Sequence, residues 1–186
     1  MEPKETQKPK ERAIVFIDGN NLHRGLKKCY GIERLDLEPF CRQIVQNREL
    51  VRIYYADANY LHYINLDSYK HQQAYFSHIR KIKNLVFRRG YYNKWHKPPV
   101  EKKVDVYLAT DLVDLCYQDD FDYTYLVSGD TDLCPAVDIV VAQGKTVMNV
   151  YFHTTEKNSY AVRSSCKGKF KNITKIIAEQ YKWEYK

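Results

Sequence analysis

No apolar run in this 186-residue chain approaches the ~20 residues that a membrane-spanning helix needs; the longest, Ala13–Ile17, has five. No two cysteines form a C-x-x-C pair. No histidine lies at zinc-finger spacing from any of the five, Cys29, Cys41, Cys116, Cys134 and Cys166, so buried thiols are the default reading. An odd cysteine count behind a start with no apolar stretch argues for a reducing, cytoplasmic setting. Internal repeats and low-complexity segments are absent. Acid is the scarcer charge, 23 Asp plus Glu against 30 Lys plus Arg, for a formal net charge of +7. That excess suits a polyanionic partner such as nucleic acid, with solubility alone as the plainer alternative; no membrane partner is expected. At 44% hydrophobic residues the chain is globular. Its length supports one domain with a real core. Residues 1–12 read as a flexible basic tail and 13–186 as a single domain.

Strand and helix signals alternate. Ala13–Ile17 reads as a strand buried on both faces, bounded by Asp18-Gly19. Further strands are expected at 50–56, from Leu85, at 123–127 and at 146–152. Helices are expected after Asn20-Asn21, at 37–46, 67–83, 103–117, 132–142 and about 173–181. The stretch Tyr91–Val100, with Pro98 and Pro99, reads as a loop. Strands separated by helices of this length imply βαβ units and a mostly parallel sheet, and in such sheets ligands bind outside the carboxyl ends of the strands.

Four acids gain meaning from that rule. Asp18 follows the first strand and Asp130 follows the strand at 123–127. Asp132 begins the next helix, and Asp105 lies near the start of the helix at 103–117. Gly129 is expected to let the chain turn sharply before Asp130, and Asp132 to cap the following helix. Each acid alone has an ordinary explanation as a turn, cap or first-turn residue; their convergence is what points to a site. Carboxylates brought together need a positive partner. Hard oxygen donors without cysteine suit Mg²⁺ or Mn²⁺, and the implied chemistry is metal-assisted attack of water on a phosphodiester.

Three segments, FIDGNNLHRGL (16–26), EKKVDVYLATDL (101–112) and YLVSGDTDLCPAVDIVVAQGKTVMNVYF (125–152), together resemble the NYN domain, a PIN-like family of metal-dependent ribonuclease domains. The resemblance implies a Rossmann-like α/β/α three-layer sandwich around a mostly parallel sheet, acting on RNA. By position, Asp18, Asp105, Asp130 and Asp132 would be the catalytic, metal-binding carboxylates. Asn20 or Asn21 would orient the site, Ser128 would support the turn, and Asp111 matches a recurrent acid whose role is less defined. Lys103 departs from the pattern, which often has glycine there. In RSSCKGKFKNI (163–173) the usual acid is missing, with Lys169 near its place.

An acidic pocket repels phosphate, so a basic rim must hold the polymer. Arg88, Arg89, Lys94, His96, Lys97, Lys102 and Lys103 are the candidates, with Trp95, Tyr91 and Tyr92 able to stack on unpaired bases; packing is the competing role for the aromatics. Single-stranded RNA is therefore the expected partner, and 17 tyrosines leave room for a homodimer surface as well. Two alternatives remain open. One is a non-catalytic RNA-binding module on the same fold. The other is a haloacid-dehalogenase-type phosphatase, against which the D-G-N at 18–20 lacks the second acid of a D-x-D.

Overall fold

The computed structural model describes residues 10–152 and 158–185, with side chains described outside 158–160. At its centre lies β1 (Arg12–Asp18), with β2 (Glu49–Ala58) on one side and β5 (Tyr123–Val127) on the other, both parallel to it. β3 (Leu85–Asn93) continues beyond β2, and β4 (Val100–Lys102) pairs antiparallel with its end. β6 (Thr146–Phe152) and β7 (Phe170–Ile173) extend the other flank in parallel. The order is β4-β3-β2-β1-β5-β6-β7. The chain thus builds outward from β1, returns, and builds outward the other way, so the crevice between β1 and β5 is the switch point of an α/β fold.

β1 is apolar throughout because both its faces are covered. Ala13, Val15 and Ile17 join one core with Leu26 of α1 (Gly19–Tyr30), Phe40 of α2 (Leu37–Val45) and Phe76 of α3 (Leu66–Ile79). Ile14 and Phe16 join a second core with Leu108 of α4 (Val104–Tyr117), Val137 of α5 (Cys134–Ala142) and Val162 of α6 (Asn158–Ser165). A short α7 (Lys175–Gln180) closes the chain, with Ala178 in the first core.

Three elements differ from the sequence expectation. Tyr91–Asn93 and Val100–Lys102 pair as the two arms of a hairpin, because the prolines lie in the turn between the arms and take no ladder position. β7 carries one buried side chain, Ile173, and so gives no apolar run to read. Asp132 falls in a 3-10 turn, Thr131–Leu133, ahead of α5. Residues 1–9 of the expected tail lie outside the described residues, while Arg12 already belongs to β1.

Candidate functional site

The β1–β5 crevice is held by a chain of hydrogen bonds. Asp18 is 5% exposed at the end of β1. Its Oδ1 accepts from the Asn21 amide at 2.9 Å, capping α1, and its Oδ2 accepts from Ser128 Oγ at 3.2 Å. Ser128 Oγ accepts in turn from the Asp130 amide at 3.1 Å. Asp130 Oδ1 accepts from the Asp132 amide at 3.0 Å, so Asp130, and not Asp132, caps the turn that follows. Asn21 Oδ1 accepts from the Gly129 amide at 3.2 Å, tying the loop after β5 to the start of α1. Asn20 stands half-buried beside it. Gly129 avoids the left-handed region, and a side chain there would meet nothing closer than 4.0 Å. The turn does not demand glycine at that position.

Asp105 enters from the first turn of α4. Burial raises its pKa, and Asp130 and Asp132 raise it further. Burial pushes Asp18 up to about 8 against the pull of the Asn21 amide, with Asp105, Glu101 and Asp57 adding to the rise. The four expected acids thus lie within electrostatic reach of one another. Asp111 is elsewhere. It grips the Arg88 guanidinium at 2.7 and 2.8 Å, six residues along α4 from Asp105 and so on a different face. Arg88 is therefore bound on the α4 side of β3. Arg89 is exposed on the same strand, close enough to Arg80 to add to the lowering of its pKa by burial. Lys94, Trp95 and Lys97 occupy the hairpin turn, and Trp95 is 95% exposed. Lys102 ends β4. Lys103 caps α4 at φ 77°, the left-handed conformation that favours glycine, with its ammonium 5.5 Å from the centre of the Tyr91 ring.

Residues 12–174 match the model of the NYN domain. The chain belongs to the NYN domain family. This NYN chain matches none of the curated proteins. Among solved structures, a protein of unknown function, VPA0982 from Vibrio parahaemolyticus, superposes at TM-score 0.68 with 19% identity, over 94% of this chain and 97% of that one, and so shares the fold. A nicotinamidase from Staphylococcus aureus aligns at 0.41 and 10% identity, over 87% of this chain and 99% of its own; a superposition that loose carries no argument.

Sequence reading missed several members of this NYN site. Glu101 lies on β4, just past the stretch 91–100 read as a loop. Burial, Asp57 and Asp105 lift its pKa to about 7, while a hydrogen bond from Tyr92 and the charge of Arg24 oppose them. Asp57, next to last in β2, is 1% exposed and raised to about 6. Burial raises it, and Arg34 is the strongest opposing influence. Arg34 is itself buried, 3.7 Å from Asp57 Oδ2, and Tyr55 Oη donates to the same oxygen at 3.0 Å. A side chain at Gly19 would overlap Tyr55 and Asp57, so α1 can start this close to β2 only from glycine. Buried Asn149 donates to the Ser128 carbonyl at 2.8 Å and fixes the turn from behind. A signal for Asp57 was available, since it follows a β2 run as Asp18 follows β1. Glu101, Arg24 and Asn149 needed the tertiary arrangement.

Proposed function

We propose that this chain is a metal-dependent ribonuclease that hydrolyses phosphodiester bonds in single-stranded RNA, on a PIN-like three-layer sandwich. Membership in the NYN domain family supports the reading. The observation that carries it is the hydrogen-bonded series Asp18–Ser128–Asp130–Asp132 at the switch point, facing Asp105.

The donor set fits a hard dication. Its side chains are carboxylates. Burial raises the pKa of Asp18 and of Asp105, Asp105 adds to the rise at Asp18, and Asp130 and Asp132 add to the rise at Asp105, so added positive charge would relieve that repulsion. Among the described residues, no three His, Cys, Asp or Glu side chains stand close enough to cage an ion, so the metal reading rests on the chemistry of the carboxylates and on family membership. Asp18, Asp105, Asp130 and Asp132 are the residues that would hold it. When bound, such an ion supplies a nucleophile from its water and neutralises charge on the phosphate.

The chain's own residues set the geometry. Ser128 locks Asp18 to the Asp130 backbone. Asn21 holds the loop after β5 against α1. Glu101, with a pKa near neutral, is able to take or give a proton at its carboxylate. Arg24, near Glu101 and exposed, and the exposed Lys94, Lys97, Lys102 and Lys103 offer cations for the strand's phosphates.

The test is cleavage of labelled single-stranded RNA and DNA with and without Mn²⁺, beside Asp130→Asn. Asparagine keeps the shape and the cap, so the variant should fold normally yet lose at least ~100-fold in rate, as removal of several kcal/mol of charge stabilisation requires. Full activity in the folded variant would end the nuclease reading. RNA binding without cleavage in the parent chain would favour the non-catalytic module.

A further inference from the structure

Beside the acids lies a pocket of about 180 Å³, lined by Tyr60, Leu61, Ile64 and Asn65 on one side and by Tyr92 and Pro99 of the hairpin on the other. It is smaller than the ~300–1,000 Å³ of sites that engulf drug-sized ligands, and so suits a single ring system. Its tyrosine hydroxyls tie it to Glu101 and to the partner of Asp57: Tyr92 Oη donates to Glu101 Oε2 at 3.3 Å, and Tyr60 Oη accepts from Arg34 at 3.5 Å. Their rings are left to line the pocket. The floor is therefore fixed to the same groups that surround Asp57 and Glu101.

The mouth carries polar groups in a hydrophobic frame. Asn65 uses its Oδ1 to cap α3 through the Ser68 amide at 2.8 Å, which leaves its amide nitrogen to donate outward. Ser68 is exposed, and its hydroxyl is spent on no bond among the described residues. Around the rim, Tyr63, Ile64 and Leu66 are all more than half exposed. The Lys94 ammonium lies 5.4 Å from the centre of the Tyr63 ring. Aromatic walls, a few hydrogen-bonding groups and a cation beside them form a recognition site for an unpaired base on a charged backbone, because every base has a face to stack and an edge to read.

We propose that this pocket receives one unpaired nucleobase of the RNA strand adjacent to the bond held at the acids, and that Asn65 and Ser68 read its edge and set a base preference. The proposal rests on the ribonuclease reading, but its test reads binding and not cleavage. An isotopically labelled chain is titrated with AMP, GMP, CMP and UMP, and the amide signals of Asn65, Ser68 and Tyr92 are followed. The expected result is movement of those three signals, with one base favoured. Ser68→Tyr fills the pocket from an exposed helix position. It should abolish the shifts and weaken a single-stranded RNA hexamer by about 5- to 150-fold, the loss of one stacked base. If that variant melts early, Ile64→Asp, which sets a negative charge at the mouth, replaces it with the same expectation. A folded variant that keeps hexamer affinity and base preference overturns the pocket while leaving the nuclease reading intact. Failure of all four nucleotides to move the signals also overturns the pocket, and the separate cleavage assay then decides the nuclease reading on its own.

Discussion

The two ends of the central strand handle the same residue type in opposite ways. At the amino edge of the sheet, aspartates are paired. The Arg12 guanidinium lies 3.1 Å from Asp122 Oδ1, and Lys145 bonds Asp119. A hydrogen bond from Arg12 holds Asp122 below the usual carboxylate range, and one from Lys145 does the same for Asp119. At the carboxyl edge, six residues along β1, Asp18 is buried and pushed up to about 8, with further acids and no cation bonded to it among the described residues. One edge is balanced for stability. At the other, burial is the main cause of the rise at Asp18 and nearby acids add to it, while Arg34 stands 3.7 Å from Asp57, a pattern found often at binding edges.

The sharpest way to break that contrast is pH. A carboxyl raised in the folded state binds more protons folded than unfolded, so stability falls as pH rises from about 4 to about 8. Asp57 at about 6 and Glu101 at about 7 act in the same direction. The lowered Asp122 acts oppositely: its contribution is present above the unfolded value and is lost only as pH drops below it. Asp18→Asn should therefore match the parent near pH 4 and melt at least ~4 °C higher at pH 8, a shift of roughly 1–2 kcal/mol for a chain of this length. Millimolar Mn²⁺ should narrow that gap by stabilising the parent. Thermal melts from pH 4 to 9 measure both effects. A gap that does not grow with pH would mean that Asp18 carries no unrelieved charge.

A comparable effect, in the opposite direction and independent of pH, is expected from Gly19→Ala. The methyl group would press Tyr55 and Asp57 out of place, an overpacking that costs about 1–3 kcal/mol and lowers the midpoint by about 2–12 °C. A chemical denaturation curve gives the value. An unchanged curve would show that α1 shifts freely, and that the acid edge is softer than its packing indicates.

The smallest effect belongs to the balanced edge. Arg12→Gln removes a half-exposed pair with Asp122 that water and salt already screen, and should cost less than ~1 kcal/mol. Cleavage of RNA should not change, because the substitution lies at the far end of β1. A rate loss comparable with that of Asp130→Asn would erase the distinction between the two edges.

Much of this was written along the chain. The five-residue apolar run before Asp18, the helix-length spacers and the strand at 123–127 are local signals, and the structure reproduces β5 and β6 to the residue. The rule that sites lie at the carboxyl ends of parallel strands then singled out Asp18 and Asp130. Local pattern was mute where pairing is long-range. Nothing near Glu101 announces a strand, since β4 is three residues long and exists through its bonds to Tyr91–Asn93. Lys103 looked like a departure from a glycine pattern, and its left-handed backbone shows why glycine would be at ease there. Periodicity and turn chemistry decided by themselves which segments become strands and helices, because those preferences act within a few residues. Which acids share a site, that Asp111 binds Arg88 instead of joining them, and that Tyr60 and Tyr92 meet at one pocket were decided only in the folded chain. Burial and the mutual field of distant side chains, which set those pKa values and contacts, do not exist until the sheet is assembled.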